Sequence, residues 1–294
     1  MLDIGVALPN TGRESSPDAI ADAARAAADL GWHSVWVTDH LLIDRAESTR
    51  YGRVFEALTT LAWLGSQVDR LRLGTSVLVV PQRNAVVLAK EIATLDALVA
   101  GRLVVGVGAG WSEPEFANVG AQDRFRVRGR YLDEAILLWR HLWSGSDTPF
   151  EGRFHTVRDS VLAPLPVQGA ALPIVIGGGS DRAVERAARL GDGYQVTQMG
   201  PDDLSRRAAR LRTLVAQAER PMPRLEARLV VHLGGDQARA NALAGTVRQM
   251  RQRLDAWVIA GAAELVLKFE DATPRDNVRS MERFDRDVLR PSRT

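Results

Sequence analysis

Residues 174–197 read IVIGGGSDRAVERAARLGDGYQVT: a short apolar run, a glycine turn, an amphipathic segment, a second glycine turn and another short run. The runs 174–177 and 194–197 are rich in β-branched and aromatic residues, which favour strands. Between them, 181–190 has helical spacing and stops at Gly191, a residue suited to ending a helix. Ile174-Val175-Ile176 shows no alternation of apolar with polar residues, as expected of a strand covered on both faces in a parallel sheet. The stretch is therefore a strand–helix–strand unit.

The unit recurs in both directions along the chain. Candidate strands fall at 4–8, 34–38, 72–79, 103–107, 174–177, 194–197, 227–233 and 264–269. Helical segments lie between them. The segment 17–30 follows Ser16 as N-cap, starts on Pro17 and ends at Gly31, and 247–260 ends at Gly261. An open doubly wound sheet would show similar runs. Eight strands in unbroken alternation with helices favour closure, so the expected fold is α/β, a single (β/α)8 TIM barrel domain over residues 1–294. Two intervals exceed plain loops: 39–55 after strand two, expected over the active face, and 144–173 before strand five, where 150–154 reads as a small hairpin.

Composition narrows the function. With 46% hydrophobic and 25% charged residues, the chain has the balance of a globular protein. No apolar run reaches the ~18 residues of a membrane span, and the first ten residues lack a basic leader, so the cytosol is the default location. Cysteine is absent, which removes disulfides, thiolate metal sites and a cysteine nucleophile. Net charge is only +2, lysine occurs solely at Lys90 and Lys268, and the arginines scatter over helices, so no nucleic-acid surface is expected.

In such a barrel the ends of the strands converge on one rim, where active sites lie. Strand two delivers Asp39-His40 there, a carboxylate beside an imidazole, the side-chain type most used to give or take a proton. Its bland alternative is a strand end capped by Asp39. Strand five ends in Gly177-Gly178-Gly179-Ser180, directly before a helix, where main-chain N–H groups and the helix dipole suit a phosphate. Strand four carries Gly106, Gly108 and Gly110 before Trp111, wrongly spaced for a dinucleotide fingerprint and suited to the close approach of a flat ring. His232 near the end of strand seven is within possible reach, while His33, His141 and His155 lie elsewhere. No metal-ligand spacing and no GxSxG elbow occur, whereas a glycosidase-type pair among Asp39, Glu113 and Glu115 stays open.

In order, these pieces resemble the luciferase-like monooxygenase superfamily, and within it the coenzyme F420 (deazaflavin)-dependent oxidoreductases. The resemblance rests on Val37-Thr38-Asp39-His40, Arg72 to Val77 with Ala89 to Asp96, Gly101 to Trp111, and Pro173 to Gly178 with Ala188 to Gly193. It implies a flavin-like ring over the barrel mouth with its phosphate at Gly177, Gly178, Gly179 and Ser180. It implies a cis peptide at Ser76–Val77 against the ring, a ring contact from Asp39, and His40 as the proton-transfer group. Members oxidising sugar phosphates carry a tryptophan and a glutamate where Asp44 and Trp111 stand here, which disfavours that substrate. A homodimer is also implied.

The expected activity is hydride transfer between C5 of the deazaflavin and a small organic substrate. The alternatives are an FMN-dependent monooxygenase on the same fold, a non-catalytic cofactor-binding barrel and a glycosidase-like hydrolase. Cofactor-binding positions are expected at Asp39, Ser76, Val77, Gly108, Gly110 and the glycine turn, with no metal.

Overall fold

The computed structural model describes residues 2–235, 239–271 and 273–290. Eight parallel strands close on themselves: β1 (Asp3–Ala7), β2 (Ser34–Val37), β3 (Arg72–Thr75, resuming at Leu78–Val79), β4 (Leu103–Gly108), β5 (Ile174–Gly177), β6 (Gly193–Thr197), β7 (Arg224–Leu233) and β8 (Glu264–Phe269). Each pairs with its successor, β4 pairs with β5 through Ile174 opposite Val105, and β8 returns to β1 through Glu264 opposite Asp3. This is the (β/α)8 barrel expected from the alternation. Predicted and observed strands agree to within three residues at every end, with two differences in detail. Strand three is broken where Ser76–Val77 is a cis peptide, and an additional short strand, Ala242–Gly245, lies parallel to β7.

Helices α1 (Pro17–Asp29), α2 (Ala57–Gly65), α3 (Ala85–Leu98), α4 (Arg128–Trp143), α5 (Asp181–Leu190), α6 (Pro201–Gln217), α7 (Val247–Ile259) and α8 (Pro274–Phe284) pack around the strands. Their ends follow the local chemistry. Ser16 Oγ accepts from Ala19 N at 3.2 Å ahead of Pro17, and Gly31 and Gly261 take φ of +72° and +97° just past α1 and α7. Gly191 departs from this pattern. Its φ is −90°, and its missing Cβ makes room for Ile176, which a methyl would approach to 2.8 Å.

The outer core lies between strands and helices, whereas Ala7, Trp36, Val104, Val175 and Val266 form a separate cluster inside the barrel. Below them, at the N-terminal ends of the strands, Glu226 and Glu264 sit side by side on β7 and β8, at a cavity of about 40 Å³ also lined by Ser34, Arg72 and Arg224.

The first long interval folds over the mouth as a short helix, Ser48–Tyr51, and a strand, Arg53–Val54, antiparallel to Thr11–Gly12. The second contains the hairpin, Phe150–Glu151 against Thr156–Val157. Among the described residues no helix is long and apolar enough to cross a membrane.

Candidate active site

The rim is organised from β1. Asn10, fully buried, donates from Nδ2 to Thr38 O at 2.7 Å and accepts from Thr38 N at 2.9 Å, which fixes the backbone just before Asp39-His40. His40 is buried, and its Nδ1 lies 3.0 Å from Glu115 Oε2, while Glu115 Oε1 accepts from Leu41 N at 2.7 Å. Burial pushes the Glu115 carboxyl up, but hydrogen bonds from His40 and the Leu41 amide outweigh it and hold the group below its ordinary value. An ionised Glu115 makes Nδ1 the protonated nitrogen, a tautomer assigned from this contact. Nε2 makes no hydrogen bond to a described residue. Tyr51 from the folded-over interval packs on the imidazole at 4.2 Å between centroids, and the half-exposed Trp111 meets it edge-on at 6.2 Å.

Asp39 is engaged differently. Its side chain is fully enclosed, and both oxygens accept from Arg83 at 2.8 and 3.0 Å, with Val79 N donating to Oδ2 at 2.9 Å. Arg83 also reaches Glu56 Oε1 at 3.0 Å. Burial pushes the Asp39 carboxyl above its ordinary value despite the pull of Arg83. Asp39 thus ties β2 to the resumed part of β3, and Arg83 and Glu56 are site residues that the sequence did not flag. Of the three carboxylates of the glycosidase alternative, Asp39 is held by Arg83 and Glu115 by His40, which leaves Glu113 without such a partner among the described residues.

Ser76–Val77 is cis, as the resemblance implies. Ser76 Oγ donates to Gln195 Oε1, whose Nε2 donates to Glu226 Oε2 at 3.0 Å, so a polar chain runs from the mouth toward the floor of the barrel. Arg228 Nη1 donates to Ser76 O at 2.9 Å and its Nη2 to Thr38 Oγ1 at 3.0 Å.

The glycines at the end of β4 pack closely against strand three. A Cβ on Gly108 would lie 2.5 Å from Val77 Cγ2, and one on Gly110 would lie 2.6 Å from Val79 Cγ1 and 2.8 Å from Phe116 Cε2. Gly106 faces Thr75 O in the same register, and Gly177 on β5 leaves the space taken by Val77 Cγ1. These positions receive the side chains and backbone of strand three, so the packing of the protein accounts for them without a ring.

At the end of β5, Gly178 has φ +137° and its carbonyl accepts from Tyr194 Oη at 2.9 Å, while Arg207 donates to Gly179 O at 2.5 Å. Ser180 Oγ caps α5 by accepting from Ala183 N at 3.3 Å. The amides of Gly178, Gly179 and Ser180 donate to no described residue, leaving three N–H groups at a helix start. The remaining histidines sit outside this set. His232 is 4.0 Å from Glu270, His33 is 3.8 Å from Asp3 at the opposite rim, His141 meets Thr148 O, and His155 meets Glu134 in the hairpin region.

Comparison with known proteins adds the following. Residues 2–290 match the family model described as luciferase-like monooxygenase. An F420-dependent glucose-6-phosphate dehydrogenase of Kineococcus radiotolerans is 35% identical over 183 residues, 62% of this chain and 53% of that protein. The match therefore spans about half the length of that relative. An uncharacterised protein of Mycobacterium bovis is 32% identical over 214 residues, 68% of this chain and 72% of its own. Among solved structures, an F420-dependent secondary alcohol dehydrogenase in complex with an F420-acetone adduct superposes with a TM-score of 0.83 at 17% identity, covering 98% of each chain. A monooxygenase from Streptomyces bottropensis gives the same TM-score at 22% identity, covering 98% of this chain and 99% of that one. At these identities the structural likenesses speak to the fold.

Proposed function

The chain belongs to the luciferase-like monooxygenase family, and from that premise we propose that it is a coenzyme F420-dependent oxidoreductase acting on a small organic substrate, with His40 as its proton-transfer group. The observation that carries this reading is the enclosed His40–Glu115 pair at the barrel mouth, 3.0 Å apart, with Tyr51 and Trp111 against the imidazole. Bound at the mouth, the deazaflavin would supply hydride donation or acceptance at C5.

The residues present fit such a group. The three unpaired amides at Gly178, Gly179 and Ser180, with the α5 dipole behind them, are a donor set for a phosphate. Val77 would bear on the ring from β3, and Asp39 would act by holding Arg83 and the Val79 amide rather than through a free carboxylate. Glu115 keeps the Nδ1 proton of His40 in place, so Nε2 is the atom that takes a proton from the substrate or returns one. Tyr51 and Trp111 would restrict water around it. Glucose 6-phosphate is disfavoured as the substrate, because Asp44 and Trp111 stand where sugar-phosphate oxidisers carry tryptophan and glutamate.

The test is a parallel titration of the purified protein with deazaflavin and with FMN, read by quenching of intrinsic tryptophan fluorescence. Tighter binding of the deazaflavin is expected. FMN binding with no deazaflavin response would replace this reading with the FMN monooxygenase.

A further inference from the structure

The mouth contains a cation that, among the described residues, has no ion-paired carboxylate. Arg228 interrupts the otherwise apolar stretch Ala227 to Val231 of β7, and its guanidinium crosses to the ends of β2 and β3. Its acceptors are neutral: Ser76 O at 2.9 Å, Thr38 Oγ1 at 3.0 Å and, more distantly, Ser76 Oγ at 3.4 Å. Among the described residues no carboxylate forms an ion pair with it. The acidic groups that act on it through space are Glu270, which is held by Lys268 at 2.7 Å and Arg239 at 3.2 Å, and the phenol of Tyr51.

Other enclosed arginines show what a purely structural role looks like. Arg83 pairs with Asp39 and Glu56, and Arg186 pairs with Asp133. Arg102 lacks a carboxylate too, but donates to four backbone carbonyls, those of Val99, Val68, Leu71 and Gly65. A guanidinium has five N–H donors in a flat fork, and Nε of Arg228 donates to no described residue. Burial lowers its pKa to about 10, so the group is charged at neutral pH in a place that disfavours charge. An oxyanion arriving there would supply the missing compensation.

We propose that Arg228 is the binding group for a carboxylate or phosphate oxyanion of the ligand seated at the barrel mouth. The proposal rests on the rim being the working site. The same chemistry has a second source, an anionic oxygen of the cofactor, and the test separates the two.

Wild type, Arg228→Gln and Arg228→Lys are titrated with acetate, inorganic phosphate and deazaflavin, each variant first checked for a cooperative melt. Acetate or phosphate affinity about tenfold weaker in Arg228→Gln, partly restored in Arg228→Lys, with deazaflavin affinity unchanged, assigns the anion to the substrate. A similar loss confined to deazaflavin assigns it to the cofactor. No response of any probe to Arg228→Gln overturns the proposal and leaves Arg228 as a strut between Thr38 and Ser76. If Arg228→Gln does not fold, arginine-directed dicarbonyl modification of wild type takes its place, followed by mass spectrometry. Protection of Arg228 by acetate or phosphate, or by deazaflavin, supports the proposal, and equal labelling with all of them overturns it. A chain that binds anions through Arg228 but no deazaflavin would refute the proposed function and keep this inference.

Discussion

Val77 Cγ2 stands 2.5 Å from the point where a Cβ on Gly108 would lie, so the valine side chain occupies the volume that the glycine leaves open. At that separation one of the two must move, and the neighbours of Val77 include Gly177 on the far side, where its other methyl is lodged. Gly108→Ala should therefore cost about 1–3 kcal/mol of stability and weaken deazaflavin binding, because the displaced group is the one facing the proposed ring site. Denaturant melts and cofactor titration measure both effects. Adding Val77→Ala to the same chain should recover most of the lost stability, and a double variant no more stable than Gly108→Ala would show that the clash lies elsewhere.

His40→Ala should leave deazaflavin affinity within about twofold and slow turnover by ~10²–10⁴, the usual range for a lost acid–base group. Turnover is followed by deazaflavin absorbance against a panel of small alcohols and carboxylates. Glu115→Gln should give a smaller loss, since an amide at 115 can still accept from Nδ1 but no longer stabilises a charged imidazole. Unchanged turnover in His40→Ala would make the histidine a packing residue under Tyr51.

The strands were legible because their signals are local: apolar runs such as 174–177 and 264–269 are bounded by glycines or polar turns, and the structure gives the same limits. The break in β3 is not local. Residues 72–79 read as one strand, and the resemblance alone implies the interruption at Ser76–Val77. The strand Ala242–Gly245 was missed because its short Ala-Leu-Ala-Gly run resembles a loop or helix start and gains its pairing from β7. At the site, His40 was visible but its partner was not. Glu115 is 75 residues away and shows in the sequence only as a carboxylate after a strand. Arg83 was hidden in the same way, 44 residues from Asp39. Arg228 did carry a signal, a charged residue inside an apolar barrel strand, which is a position that calls for a partner.

Arg83→Met leaves the enclosed Asp39 carboxylate with the Val79 amide as its remaining described donor. Breaking an enclosed pair from one side costs about 3–5 kcal/mol. The pH dependence has a definite sign. Asp39 already titrates above its ordinary value, and removing the guanidinium raises it further, so the variant binds its proton more tightly when folded. Its deficit relative to wild type should be larger at pH 8 than at pH 5, as urea midpoints at the two values would show. A deficit that shrinks with rising pH would contradict the assignment of Asp39 as the stranded group.

Glu226 sets a second pH dependence from the floor of the barrel. Burial, with the adjacent Glu264 charge adding to it, pushes its pKa up to about 8. A carboxyl that binds its proton more tightly in the folded chain contributes stability fully present below the unfolded value of 4.5 and lost as pH rises through about 8. Wild type should therefore lose stability between pH 5 and 8, by at most about 1.4 kcal/mol per pH unit from this group. Glu226→Gln removes the titration and can still accept from Gln195 Nε2, the donor that links Glu226 to Ser76 at the mouth. Its stability should run nearly flat over the same interval and exceed that of wild type at pH 8. Because Gln195 and Ser76 stay joined, deazaflavin affinity should be unchanged. If the variant keeps the wild-type slope, the titrating group is not Glu226. If it flattens the slope but weakens cofactor binding, Glu226 also orients Gln195 beneath the mouth, an effect that rising pH would then reproduce in wild type.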